Sequence, residues 1–119
     1  MSATSIYVMA VRNGQEISGP VKVGITSNPG LRLAQFQTAC PYEMLIVRTF
    51  QAPDREIARE IEKCFHATQR EHLLRGEWFN LQPNIACGIL AFQIRMAISA
   101  FSGLEERELE TAYELAGVS

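Results

Sequence analysis

Much that would announce a function is missing from this chain. No Cys-x-x-Cys pair occurs, and Cys40, Cys64 and Cys87 are odd in number and far apart. Neither a disulfide framework nor a zinc finger is expected, and reduced thiols, mostly in the core, are the plain reading. There is no run of 18 or more apolar residues, so no membrane-spanning segment is expected. Met1 to Ser5 lack the basic stretch and apolar block of a secretory signal, which predicts a cytoplasmic location. Repeats, low-complexity segments and linkers are absent as well.

Clustered basic charge is also scarce. The net charge is −2, which excludes a strong nonspecific grip on nucleic acid through phosphate contacts alone. The balance is uneven: residues 1–80 carry nine Lys and Arg against eight Asp and Glu, residues 81–119 two against five. The first two-thirds suits a polyanionic partner; the tail does not. What is present is ordinary globular material, 119 residues with 47% hydrophobic and 20% charged content, enough to bury a core without staples.

Ser5 to Val11 is rich in β-formers and ends at Asn13-Gly14, and Val21 to Thr26 alternates. The two read as an antiparallel hairpin. Ser27-Asn28-Pro29 is a helix start, and the helix carries Leu31, Arg32, Leu33, Ala34 and Phe36 and ends before Pro41. Glu43 to Phe50 is a third strand whose nearly continuous apolar middle predicts a central place in the sheet. Pro53-Asp54 starts a second helix that reaches about Gln69, with Ile57, Ala58, Ile61, Cys64 and Phe65 on its apolar face. Gly76 to Leu81 reads as a turn into a short extended segment. Asn84 to Phe101 is a long apolar helix with Arg95 its only charge, and Ser102 to Glu105 matches a capping box for a last helix ending near Gly117.

The predicted class is α+β: a three-stranded antiparallel sheet flanked by helices, with two additional C-terminal helices. Residues 1–82 form the main domain, and 83–119 a helical extension packed on it or at a dimer interface. A helix apolar all round must be covered on both sides. Leu109, Ala112, Tyr113 and Ala116 of the last helix can cover one side, and a homodimer could cover the other.

Several polar side chains sit among structural neighbours. Tyr7 and Lys22 lie in paired strands and share a face if the register allows. Gly24 removes a side chain beside Lys22, as where another group approaches closely. Arg32 lies near a helix start, where a guanidinium can clamp a phosphate. On the second helix, Glu60 and Glu62 both border the apolar stripe, Glu56 lies further toward solvent, and spacing does not choose between the border pair. His66 follows Glu62 by one turn. Glu77 stands beside Trp78 and Phe79 as a second acidic group or a surface charge.

Together these strings resemble the GIY-YIG nuclease family over roughly residues 5–82. Ser5-Ile6-Tyr7 stands where the family has Gly-Ile-Tyr, and Lys22-Val23-Gly24 where it has Tyr-Ile-Gly. The lysine form, Arg32, Glu62 to His66 and Gly76-Glu77-Trp78-Phe79 resemble the branch found in phage and bacterial proteins and in meiotically up-regulated fungal genes. The resemblance implies a metal-dependent endonuclease cutting DNA, with Mg²⁺ or Mn²⁺ on Glu62. Arg32 would stabilise the phosphate and Tyr7 with Lys22 would activate water, while Gly24, His66 and Glu77 are accessory candidates. It also selects Glu62 over Glu60. Free Tyr and Lys titrate near about 10, so either needs a lowered pKa to act as base, and a neighbouring cation is expected to lower it. The second family tyrosine is absent, as is any zinc finger or basic arm. A catalytically silent nucleic-acid-binding or protein-interaction domain with the same fold is the competing reading.

Overall fold

A computed structural model describes residues 4–102 and 106–118. Among these residues five strands and four α-helices follow in the order β1 (Thr4–Asn13), β2 (Glu16–Thr26), α1 (Pro29–Gln37), β3 (Glu43–Ala52), α2 (Arg55–Thr68), β4 (Leu73–Arg75), β5 (Trp78–Phe79), α3 (Pro83–Ser102) and α4 (Glu106–Ala116), with a single 3-10 turn at Arg70–His72 before β4. The class is α+β as expected. The sheet is not three-stranded, however: five strands pair antiparallel in the order β3-β1-β2-β5-β4. The two extra strands come from the segment around Gly76, which folds back as a hairpin and adds to the free edge of β2.

Alternation along β1 sends Ile6, Val8 and Ala10 to one face and Tyr7 and Met9 to the other. Both faces are covered, so every residue from Thr4 to Ala10 is buried. β1 is therefore the most enclosed strand, and β3, expected to be central, is an edge. A bulge explains the misleading apolar run. The register passes from Val8 opposite Arg48 to Met9 opposite Ile46, leaving Val47 as the extra residue. Ile46 then faces the Tyr7 side and Val47 the opposite core, so consecutive apolar residues serve two faces.

The larger core lies between the sheet and helices α2, α3 and α4. α2 begins at Asp54, whose side chain accepts from the Ile57 amide at 2.9 Å. It buries Ala58, Ile61 and Phe65, but Cys64 is exposed rather than part of the buried face. α3 contributes Ala86, Cys87, Leu90, Ile94 and Ile98. The smaller core holds Tyr7, Met9 and Met44 beneath Leu33 and Phe36 of α1. That helix is capped by Asn28, which accepts from the Leu31 amide at 3.1 Å.

Only one stripe of α3 is enclosed by the sheet. Leu109, Ala112 and Tyr113 of α4 pack against the same core, and Ala116 is buried in it. Phe92 and Met96 nevertheless remain 65% and 55% exposed. Pro83–Ala100 is long and apolar enough to cross a membrane by length and composition, with a mean hydropathy of 1.2; its regularly spaced buried stripe is that of a helix packed on a sheet. The expected capping box from Ser102 to Glu105 lies outside the described residues.

This packing separates two faces of one helix by energy. Leu90→Ala should destabilise the fold by about 3 kcal/mol in urea unfolding, and Phe92→Ala by less than about 1 kcal/mol.

Candidate functional site

The β1–β2 register settles what alternation left open. Tyr7 lies opposite Gly24 and Met9 opposite Lys22, which puts Tyr7, Lys22 and Gly24 on the α1 side of the sheet. The β4–β5 turn then delivers an acid to them. Gly76 takes a φ of 58°, a conformation that suits a residue without a Cβ. The amide of Val23 donates to the Glu77 carbonyl at 3.1 Å, which extends the β2–β5 pairing by one residue. Glu77 is thereby anchored by its own backbone, and its side chain turns onto the Tyr7 face.

The Glu77 carboxylate is the meeting point. The Tyr7 hydroxyl donates toward both carboxylate oxygens at 3.4 Å, long enough that the acid straddles the hydroxyl rather than gripping it. The Lys22 ammonium lies 3.6 Å from Oε1. The same ammonium sits 4.4 Å from the centre of the Phe36 ring and 5.5 Å from that of Trp78, both within cation–π reach. Gly24 is what allows this approach: a Cβ there would collide with the Glu77 carboxylate and the Tyr7 hydroxyl. Access is unequal. Tyr7 is fully buried, whereas the side chains of Lys22 and Glu77 keep 12% and 30% of their exposure.

Burial and the negative charge of Glu77 raise the Tyr7 pKa far above the ordinary tyrosine value. The Arg32 guanidinium, close enough to interact with the hydroxyl, opposes the shift without cancelling it. The expected lowering by a neighbouring cation is therefore outweighed: Tyr7 keeps its proton. Arg32 stands near the start of α1, exposed to solvent, with its guanidinium 5.4 Å from the Phe36 ring.

α2 packs on the other face, and His66 carries its contact with the sheet to β2 and β5. His66 Nε2 lies 3.5 Å from the Val23 carbonyl. Its ring packs edge-on against Phe79 with centroids 4.8 Å apart, so His66 is part of the wall rather than a solvated helix residue. Glu62, one turn earlier, is half-buried. Burial and the charge of Glu77 raise its pKa, with His66, Arg55 and Arg59 opposing. Glu60 is exposed and pairs with Lys63 at 3.8 Å. Of the two border carboxylates, Glu62 is the one that senses Glu77.

Tyr7, Lys22 and Gly24 thus meet Glu77 directly, Arg32 lies within reach of the Tyr7 hydroxyl, and Glu62 and His66 stand on the α2 side, where Glu62 feels the Glu77 charge. The residue underrated in the sequence is Glu77 itself; the short string around Trp78 was its only signal. Among the described residues no three His, Cys, Asp or Glu side chains group as a metal-binding set. Any hard cation here would rest on one or two carboxylates and complete its shell with water and phosphate.

The architecture is that of an α+β protein with a mixed acid, base and phenol cluster on one sheet face. The chain belongs to the T5orf172 domain family, whose pattern matches residues 4–94; the domain is found in phage and bacterial nuclease-like proteins. The match spans every residue of the cluster. No curated protein and no solved structure matches the chain.

The Glu62 shift has a measurable sign. A carboxyl whose folded pKa lies above its unfolded value favours folding when protonated, and that contribution is lost as pH rises through the folded pKa. Glu62→Gln should therefore raise the melting temperature of the metal-free protein at about pH 8, with the gain shrinking toward about pH 3. Thermal scans of both proteins across that range check it; a gain largest in acid would refute the buried, like-charged setting of Glu62.

Proposed function

We propose that the chain is a metal-dependent endonuclease of the GIY-YIG type, hydrolysing phosphodiester bonds in DNA. The observation that carries this reading is the meeting of Tyr7 and Lys22 at the Glu77 carboxylate, with Arg32 beside the tyrosine hydroxyl and Glu62 feeling the Glu77 charge. The family membership supports it at the level of a nuclease-like protein.

The residues suit a Mg²⁺ or Mn²⁺ ion. Glu62 carries a raised pKa because it is partly desolvated and feels the charge of Glu77, so a positive charge beside it would relieve it. Its donors are the oxygens such ions prefer, and neither ion needs a full protein cage. When bound, the metal would neutralise charge on the scissile phosphate and leaving oxygen.

The chain's own groups divide the remaining work. Arg32, exposed and beside the cluster, holds a phosphate oxygen and stabilises the charge that builds on the phosphorus centre. Tyr7 is protonated and buried, so it does not act as a free phenolate. Glu77 is the partly exposed acceptor, and it takes the proton from the attacking water. Tyr7 and Lys22 activate that water indirectly, by fixing the carboxylate from beneath and balancing its charge. Wall contacts from His66 keep the α2 end of the site in place.

Supercoiled plasmid incubated with the protein and Mg²⁺ or Mn²⁺ tests the reading. The intact chain should nick it, and Glu62→Ala should lose more than the about 10–100-fold that removal of a supporting contact costs. Equal nicking by both proteins would remove Glu62 from the site. No nicking with either metal, alongside retained DNA binding, would make the chain a silent nucleic-acid-binding domain.

A further inference from the structure

Beside the cluster, between α1, the turn that follows it and β5, lies an open cavity of about 350 Å³. Its lining includes Lys22, Phe36, Cys40, Pro41, Met44 and Trp78. Two of these are aromatic, Met44 is a buried floor, and Lys22 belongs at once to this cavity and to the Glu77 cluster. Nothing in the catalytic reading uses the space. Phe36 and Trp78 are each half-buried, so both rings keep surface that a flat ligand could cover. The Lys22 ammonium is already paired with Glu77, and the charge left for an anion beside the hollow is the exposed Arg32 guanidinium, 5.4 Å from the Phe36 ring.

We infer that this cavity is a nucleobase subsite, which takes an unpaired or flipped-out base of the strand whose phosphate is held at Arg32. The occupant follows from the chemistry of the walls. Aromatic faces and a thioether favour a planar π-system, which every base has. The exposed Arg32 favours an anionic attachment, which the sugar–phosphate chain supplies. A base that enters the hollow has to part from its stacked and paired neighbours, so a base inside a duplex must first leave the helix. The consequence is selectivity for single-stranded, flapped or mismatched nucleic acid, in a protein whose net charge of −2 gives little affinity for duplex phosphates alone. Base contacts take over part of the binding that basic residues would otherwise provide. The inference rests on the reading of the site as a phosphodiester-cleaving centre, and it concerns binding rather than cleavage.

The chain offers its own probe, because Trp78 is its one tryptophan. The intact protein, with a chelator present so that nothing is cut, is titrated with a single-stranded deoxyoligonucleotide. A blunt duplex and a baseless deoxyribose-phosphate oligomer of the same length serve as comparisons. Trp78 emission should be quenched by the single strand, which should bind roughly 5- to 150-fold tighter than the baseless oligomer. Phe36→Leu, which keeps apolar volume but removes one ring, should narrow that difference. Equal binding of all three polymers with unchanged Trp78 emission would overturn the subsite. Plasmid nicking that persists in that case would leave the nuclease reading standing, whereas quenching without nicking under any metal would sink that reading and retain the subsite.

Discussion

A carboxylate on the inner side of a sheet has to be balanced, and the Glu77 side chain is held there by a cation below it and a hydroxyl beside it. Lys22 lies 3.6 Å from it, and the Tyr7 hydroxyl is 3.4 Å from either oxygen. Half-buried charges without partners are costly, and the same low-dielectric setting strengthens the attraction that compensates. Much of the local architecture serves this contact. Gly24 leaves out a Cβ where the acid arrives, and Gly76 turns the chain toward it. The Val23 amide ties its backbone to the sheet. Phe36 and Trp78 enclose the lysine so that its charge is directed rather than solvated.

The sheet separates stability from chemistry. One face is filled by Ile6, Val8, Val21, Val23 and the helical residues above them, and carries the larger core. The other has a small core under α1 and the polar cluster beside it. Such a division lets charges collect without cutting into the main hydrophobic packing. The cost appears in the titrating groups: Tyr7 and Glu62 are both raised, each by burial first and by Glu77 second. Arg32 opposes the shift at Tyr7, and His66, Arg55 and Arg59 oppose it at Glu62, without cancelling either. A site poised in this way favours ligands that bring positive charge to the acids or accept the field of the exposed Arg32.

Fold class, most element positions and both helix starts were legible because they depend on near neighbours. Asn28 and Asp54 cap helices through amides three residues on. The apolar stripe of α2 shows in its periodicity, apart from Cys64. Long-range relations were not legible. The apolar run of β3 signalled burial on two faces correctly but suggested the wrong place, since a bulge and an α1 cover produce the same pattern on an edge strand. Glu60 and Glu62 were symmetric on the helix wheel; the family resemblance chose Glu62, and the position of α2 against the sheet supplies the physical difference between them.

Taken alone, then, the sequence determined that Tyr7, Lys22, Arg32 and Glu62 stand on regular elements, because propensity, capping and alternation act over a few residues. Tertiary structure decided that Tyr7 and Lys22 meet at Glu77, with Arg32 beside the tyrosine and Glu62 within reach of the Glu77 charge. Tyr7 and Glu77 are 70 positions apart, and their meeting depends on strand register, on β5 joining the free edge of β2, and on a glycine opposite the tyrosine. No local rule encodes that contact; it exists because one hairpin completes the sheet that another began.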